Sequence, residues 1–385
     1  MAKVRLAVIG VGNMGSFHCR SIGKMEKAEL TAVCDIKKDR ADKFAGECHC
    51  KAFYSVEDLF AAKVADAVIV AVPHYSHPDI TIEAFRNGLH VLCEKPIAVC
   101  KSEGERMVAE HKKHPELRFA LMFQQRTHKA HKHIRQLILD KEFGDIMRVN
   151  WTITTWFRTQ AYFDSGDWRA TWAGEGGGVL LNQCPHHLDL FQWFFGLPEM
   201  VRSYIEIGKY HDIEVEDEVN TYCRFAGGYS GTFITSTAEY PGTNRLEIAG
   251  TRGRMVFEDG ILKFRRTEVP VDHFCRTTPK IFSGIPTWDI TIPSDADTGT
   301  PHKDVIENFV DSILDPEVEL VAQGAEGLRA VELGNAMLYS GLENVEVHLP
   351  MDTAAFDARL AGLRKISRYG KKQNGSSAVD MNSSF

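Results

Sequence analysis

Gly10-Val11-Gly12-Asn13-Met14-Gly15 follows at once on the apolar run Lys3 to Ile9. Ser16 to Met25 then carries helical spacing, and Leu30 to Cys34 reads as a second strand ending at Asp35. A strand, a glycine turn, a helix and a strand, with an acid 20 residues after Gly15, leave few folds open. Gly10 permits the tight turn, Gly12 lets backbone N–H groups approach a pyrophosphate, and Gly15 lets helix and strand pack closely. The helix N-terminus then favours the phosphate charge. A purely structural glycine turn in another α/β fold is the alternative. Asp35 can accept hydrogen bonds from both hydroxyls of an adenosine ribose and repels a 2′-phosphate, which favours NAD over NADP. Lys37 and Lys38 next door leave room for NADP as well.

The alternation continues. Val56 to Ala62 is a short helix, and Ala67 to Val72 is an apolar strand of the kind buried on both faces of a parallel sheet. Pro73-His74-Tyr75-Ser76-His77 closes it, Pro78 opens a helix to Asn87, and Gly88 caps that helix. His90 to Cys93 is a strand running straight into Glu94-Lys95-Pro96. Ser102 to His114 and Arg118 to Phe123 add a helix and a strand. Residues 1–125 therefore predict a doubly wound parallel sheet in an α/β domain. Ligands bind at the carboxyl ends of such strands, which is where Lys95 stands. A surface Lys–Glu pair at a strand end is the plainer reading.

After Phe123 the pattern changes. His131 to Leu139 is a last helix, and Ile146 to Phe157 alternates at period two. So do Met200 to Ile207, Glu218 to Phe225, Tyr229 to Thr237, Arg245 to Ile248, Arg254 to Phe257 and Ile261 to Phe264. Short strands with turns at Ala226-Gly227-Gly228 and Asp259-Gly260 predict a large, open-faced, mostly antiparallel sheet. Its expected helices are Gly178 to Phe195, His302 to Leu314 and Gly324 to Glu343. Residues 126–369 are thus expected to form an α+β domain with a large sheet, one face of which is left available, as faces that meet a second subunit often are. The Gly-, Ser-, Asn- and Lys-rich tail 370–385 reads as disordered.

Composition excludes some partners. A net charge of −7 argues against nucleic acid. No apolar run approaches the roughly 20 residues of a membrane span, and residues 1–15 do not read as a signal peptide. Nine scattered cysteines, several inside strand-like runs (Cys34, Cys93, Cys223), suit a reducing cytoplasm rather than a disulfide framework. Cys48-His49-Cys50 matches no zinc spacing, so no metal is expected. His128, His131 and His133 read as a solvated helix face.

The second chemical stretch is Glu175-Gly176-Gly177-Gly178 to Asp189. Three glycines ahead of helical spacing suggest a helix beginning close to a ligand. Asn182 and His186 are i and i+4 and would share a face. Asp189 would lie nearby, and Pro185 would bend the helix. A polar pair on an apolar helix is costly unless satisfied or used; a hydrogen-bonded core histidine is the alternative. Upstream, Tyr162, Phe163, Trp168 and Arg169 form an aromatic loop with a fixed cation, suited to sugar stacking or a cofactor phosphate. Trp151 and Trp156 fit the same stacking role.

Together the Gly10/Gly12/Gly15 turn, Glu94-Lys95-Pro96 and the Gly176–His186 segment resemble the glucose–fructose oxidoreductase, inositol dehydrogenase and MocA (Gfo/Idh/MocA) family, over roughly residues 3 to 350. The resemblance implies an N-terminal Rossmann domain holding NAD(P) and a C-terminal open-faced sheet that forms a homodimer or homotetramer. It implies Lys95 as catalytic lysine and His186 as catalytic histidine. Around the cofactor it places Asn13 and Met14 with the three glycines and Asp35. Nearer the nicotinamide it places Pro73, His74, His77, Glu94, Lys95 and Gln124. It implies Trp168-Arg169 as contacts to cofactor or substrate, and Tyr162, Asn182 and Asp189 are expected beside the substrate as well. Asn182 stands where many members carry aspartate, so it is expected to meet a substrate hydroxyl rather than charge the histidine.

The resulting expectation is NAD-dependent oxidation of a secondary hydroxyl on a sugar, glycoside or cyclitol. Rival readings are a retained, recycled NAD(H), including transient ring oxidation during glycosidic cleavage, and reduction of a small non-sugar ketone, dihydrodiol or biliverdin-like substrate. A non-catalytic NAD(H)-sensing regulator is the remaining class.

Overall fold

A computed structural model describes residues 3–293 and 301–368. The expected disordered tail 370–385 lies outside the described residues. Six parallel strands form the first sheet: β1 (Val4–Ile9), β2 (Ala28–Cys34), β3 (Lys51–Phe53), β4 (Ala67–Val70), β5 (His90–Cys93) and β6 (Phe119–Leu121). Their order is 3-2-1-4-5-6, so the order reverses between β1 and β4. Two crevice walls diverge there, which makes it the ligand position of a doubly wound sheet. The intervening helices are α1 (Asn13–Ile22), α2 (Lys38–Cys48), α3 (Val56–Ala61), α4 (His77–Arg86) and α5 (Lys101–His111). The central strands are apolar throughout because helices cover both faces; every residue of β4 is buried.

Helix α6 (Lys129–Leu139) leads to the second sheet, of nine strands. These are β7 (Ile146–Ile153), β8 (Met200–Ile207), β9 (Glu216–Arg224), β10 (Ser230–Ser236), β11 (Asn244–Gly250), β12 (Gly253–Glu258), β13 (Ile261–Thr267), β14 (Thr287–Ile292) and β15 (Val347–His348). The order is 14-13-12-11-7-10-9-8-15. All pairings are antiparallel except β7 with β10. The chain leaves β7 and returns only after the site loops, so β7 is flanked by later strands. The remaining helices are α7 (Gln160–Asp164), α8 (Pro185–Phe195), α9 (Val271–Thr277), α10 (Pro301–Leu314), α11 (Gly327–Glu343) and α12 (Thr353–Lys365).

Two expectations about helices need correction. The helix expected from Gly178 begins only at Pro185. Glu216 on β9 captures the preceding backbone: its Oε1 accepts from Gly178 N (2.9 Å) and Leu180 N (3.1 Å), and its carbonyl from Val179 N (3.0 Å). A Cβ on Gly178 would stand 2.0 Å from that carbonyl oxygen. Pro185 takes the first helical position, where its missing N–H costs nothing. Helix α10 packs not on the large sheet but on the parallel one, where Val305, Ile306, Phe309 and Val310 join Val4, Leu6, Val8 and Leu92 in one core.

The solvated-face reading of the α6 histidines holds for exposed His133 but fails for His131. That ring is buried beside Phe194 and Phe257, and its Nδ1 lies 2.7 Å from the Gln125 carbonyl. Cys34, Cys93 and Cys223 are buried strand residues.

Candidate active site

The cofactor cradle is built from the β1–α1 turn. Gly10 has φ +83°, and a Cβ there would lie 2.5 Å from the Ala71 carbonyl oxygen. Gly12 differs: its Cβ would meet only Arg40 Nη1, at 3.8 Å, so the protein leaves room for another molecule. Asn13 and Met14 form the first turn of α1, with N–H groups at the crevice. Asp35 is buried at the end of β2, and it braces the turn as well as facing the crevice. Oδ2 accepts from Val11 N (3.1 Å) and Oδ1 from Lys37 N (2.9 Å). Arg40 Nη1 lies 3.4 Å from Oδ2. Lys37 thus contributes its backbone, and the cation beside the acid is Arg40, one turn into α2 and not suspected from the local sequence. This cradle fits a dinucleotide: open space at Gly12, a helix N-terminus, and a braced carboxylate.

Lys95 follows β5 at the crevice. Its ammonium donates to the Asn182 carbonyl (2.9 Å), so the two chemical stretches meet. Burial pulls its pKa down, Glu94 and Glu175 oppose this, and Arg169 and Arg158 push it down again. Glu94 is not free to pair with the ammonium. Its Oε1 is 2.7 Å from His18 Nε2, and its Oε2 accepts from Lys95 N (3.2 Å). Burial alone would raise the Glu94 pKa, but the His18 bond prevails and holds it at about 2. His18 sits fully buried on α1, and no local motif announces it.

His186 occupies the first turn of α8. Its Nε2 lies 3.1 Å from the Gln124 side-chain amide, and its Nδ1 has no hydrogen-bond partner. Burial, reinforced by Lys95, pushes its pKa well below 6.5, so the ring is neutral at pH 7. His187 beside it is a core residue, edge-on to Trp151 and Trp156. Asn182 lies in the turn before α8, not on a shared helix face. Its Nδ2 donates to Glu175 Oε1 and to the Tyr162 hydroxyl (3.3 Å). Glu175 Oε2 accepts from Ala170 N (2.7 Å).

The aromatic loop divides in two. Trp151 (1% exposed) and Phe163 (3%) are core residues, which corrects the stacking role expected of them. Tyr162, Trp168 and Trp156 remain half-buried. Arg169 stacks on Tyr162 and Trp168 at 4.5 and 4.6 Å and donates to the Tyr162 hydroxyl (2.8 Å). His74 Nδ1 lies 3.2 Å from the Glu175 carbonyl, with its ring near Trp168.

Two implied contacts are turned inward. Asp189 is 1% exposed, and both its oxygens accept from Arg126, at 2.7 and 2.6 Å, leaving nothing for a substrate. His77 is fully buried between the Pro96 and Val72 carbonyls (2.8 and 2.9 Å). It ties the Lys95-Pro96 turn to the end of β4, near Pro73, rather than facing a ring of the cofactor.

Glu216, which clasps the glycine loop, has its Oε2 buried without a partner. Burial raises its pKa from 4.5 to about 7, despite the two N–H donors. A carboxyl raised on folding stabilises most when protonated, so this contribution is full below about pH 4.5 and lost as pH rises through 7. The difference is on the order of 3 kcal/mol. Glu216→Gln keeps an oxygen for both N–H groups and removes the charge. It is expected to raise the melting temperature at pH 8 by several degrees and to change it little at pH 5; equal shifts at both pH values would refute this.

Among the described residues, no group of three or more His, Cys, Asp or Glu is placed to hold a metal ion, and no helix is long and apolar enough to cross a membrane.

A dinucleotide turn, a strand-end lysine and a buried neutral histidine converging on one crevice define a nicotinamide-dependent oxidoreductase. The chain belongs to the Gfo/Idh/MocA oxidoreductase family. Residues 4–121 match its NAD-binding Rossmann domain and residues 131–256 its C-terminal domain. The myo-inositol 2-dehydrogenase of Thermotoga maritima is 25% identical over 271 residues, covering 67% of this chain and 76% of that one. An inositol 2-dehydrogenase of Salmonella typhimurium is 28% identical over 152 residues, and that match spans 38% of this chain and 45% of the enzyme. The solved WlbA dehydrogenase from Bordetella pertussis, in complex with NADH and UDP-GlcNAcA, aligns with a TM-score of 0.76 and 27% identity, over 91% of this chain and 100% of that one. The protein is an NAD-binding oxidoreductase of a family that includes sugar and cyclitol dehydrogenases.

Proposed function

We propose that the protein oxidises one secondary hydroxyl of a sugar, glycoside or cyclitol to a ketone. The observation that carries this is the meeting of Lys95 with the Asn182 turn, one residue short of the His186 helix's flanking Cys184-Pro185 entry. NAD, when bound, supplies the hydride acceptor. His186, neutral because it is buried, takes the hydroxyl proton. The Lys95 ammonium holds the reacting oxygen and stabilises its developing negative charge. The Gln124 side-chain amide lies 3.1 Å from the imidazole Nε2, the acceptor nitrogen at which the proton is taken when the substrate hydroxyl replaces that contact. The half-buried Tyr162 and Trp168 offer faces for a pyranose ring.

The test is a spectrum of the purified, undialysed protein, then a panel of sugars, methyl glycosides and inositols with added NAD. Growth of reduced-nicotinamide absorbance with one class is expected. A protein that binds NAD yet reduces it with none of them would end the proposal. A single turnover by protein-bound nicotinamide that then stops would favour a retained, recycled cofactor. We further assign homo-oligomerisation to the uncovered face of the nine-stranded sheet, where Tyr204 (65%) and Tyr222 (46%) lie exposed. A monomer in sedimentation at micromolar concentration would sink that assignment.

A further inference from the structure

Arg158 is absorbed by none of these roles. Its guanidinium stacks on Trp156 and Tyr162, at 5.5 and 5.1 Å. Arg169 stacks on the same Tyr162 ring. The hydrogen bonds of both side chains go to neutral oxygens, the Phe157 carbonyl for Arg158 and the Tyr162 hydroxyl for Arg169. Neither forms an ion pair among the described residues, and Arg158 Nε is buried with no acceptor. A continuous path joins them to the reacting lysine: Arg169 to the Tyr162 hydroxyl, Asn182 Nδ2 to the same hydroxyl, and the Asn182 carbonyl to Lys95 Nζ. Of the nearby buried carboxyls, Glu94 is engaged by His18 and Glu175 by Ala170 N and Asn182, and Glu216, held by Gly178 N and Leu180 N, has its pKa raised to about 7 by burial. The neighbouring histidines His74, His186 and His187 are all held neutral by burial. Three cations therefore converge beside two spoken-for anions, in a chain whose net charge is −7.

Packing alone would be met by stacking one arginine. Two arginines on one tyrosine, with a buried donor left over, suit an oxyanion that the protein does not itself provide. From this we infer that the substrate carries an anionic group, a carboxylate or phosphate, which Arg158 and Arg169 clamp while Lys95 and His186 address a ring hydroxyl. The inference rests on the reading of Lys95 and His186 as the reacting centre. The group's position next to Tyr162 makes a sugar acid the direct candidate; the cofactor's own pyrophosphate is the other source of the same chemistry.

The experiment titrates matched pairs onto the full-length protein saturated with NADH: methyl β-glucoside against methyl β-glucuronide, the galacto pair, and glucose 6-phosphate. The acid is expected to bind at least about tenfold more tightly than its neutral parent, with the preference shrinking as salt rises. Arg158→Ala should bring that ratio close to one, and Arg158→Lys, which keeps the charge but not the fork, should restore part of it. NADH affinity, titrated separately, should stay within about twofold. Equal binding of acid and neutral partners by the wild type overturns the inference. So does a Arg158→Ala protein that keeps the acid preference but loses NADH, because the anion is then the cofactor's. Turnover separates the two claims. Uronides that bind tightly but never reduce NAD leave the clamp standing and remove the dehydrogenase reading. Neutral glycosides oxidised while uronides are ignored do the reverse.

Discussion

On the proposed mechanism, Lys95→Met is expected to lower kcat by about 10³-fold and to leave NADH binding intact, to be read from steady-state rates and nicotinamide fluorescence titration. The magnitude follows from removing a charged donor aimed at a developing alkoxide, worth about 4 kcal/mol in a water-poor site. Methionine fills the same length of half-buried channel, so loss of fold is not the cause. His186→Asn costs a similar factor, about 10² to 10⁴ for a general base. The double variant loses little more than the worse single one, because the two groups act on one proton and one oxygen. The pH profile separates their roles. Burial keeps His186 neutral, so the oxidation rate shows no acidic limb near pH 6.5. Burial also lowers the Lys95 ammonium, so activity that needs its charge fades with rising pH at values below the ordinary 10.5. A rate that climbs through that region instead would make Lys95 the base and His186 its partner. Lys95→Met retaining more than about a tenth of kcat would remove the lysine from the chemistry altogether.

Such a site was only half legible in the amino-acid order. The Gly10 to Gly15 turn, Asp35 and the Lys95 strand end could be read because each is a local device: a turn, a strand terminus, a fixed offset between them. His186 rests on the family resemblance, because the local argument for it does not hold. The i, i+4 spacing to Asn182 assumed a helix, whereas Glu216 holds residues 178–180 out of helical geometry from a strand more than 30 residues away. His18, Arg126, Arg158 and Glu216 gave no signal, because what defines them is a partner across the fold. His18 meets Glu94 at a separation of 76 residues. The same holds for strands: period two predicted β7 and β10 separately, but nothing local says that they pair in parallel. Alternation also says which residues share a face, not which face is covered, so Trp151 looked available and is buried. What sequence periodicity carries is local conformation; burial and charge pairing belong to the assembled layers.

Arg126→Leu is expected to destabilise the protein by about 3–5 kcal/mol, the cost of stranding one half of a buried ion pair. Arg126 is 2% exposed. Its Nε and Nη2 grip both Asp189 oxygens, its Nη1 reaches Glu326 and, at 3.3 Å, the Val321 carbonyl. It therefore fastens the segment after β6 to α8 and to the approach to α11. With leucine there, the Asp189 carboxylate keeps only Gln192 Nε2, at 2.9 Å. Burial already pushes that carboxyl up, and without the guanidinium it rises further. Its folded pKa, already above the unfolded value in the wild type, then lies higher still, so the variant regains stability as pH falls and the group protonates. The wild type has the same sign of pH dependence at this carboxyl with a smaller amplitude, because the guanidinium offsets part of the burial. Replacing both partners, Arg126→Leu with Asp189→Leu, should recover most of the loss, because two apolar side chains leave no charge unpaired. Thermal melts of the wild type, Arg126→Leu, Asp189→Leu and the double variant at pH 5 and pH 8 measure each quantity. A double variant as unstable as Arg126→Leu would mean that the arginine acts through Glu326 and Val321 instead. The clasp also bears on catalysis: Gln124 lies two residues before Arg126, and His186 three before Asp189. Loosening the pair frees the amide and the imidazole to drift apart, and a stable double variant with reduced kcat but unchanged NADH affinity would show that Arg126 positions the base as well as fastening the segment after β6 to α8.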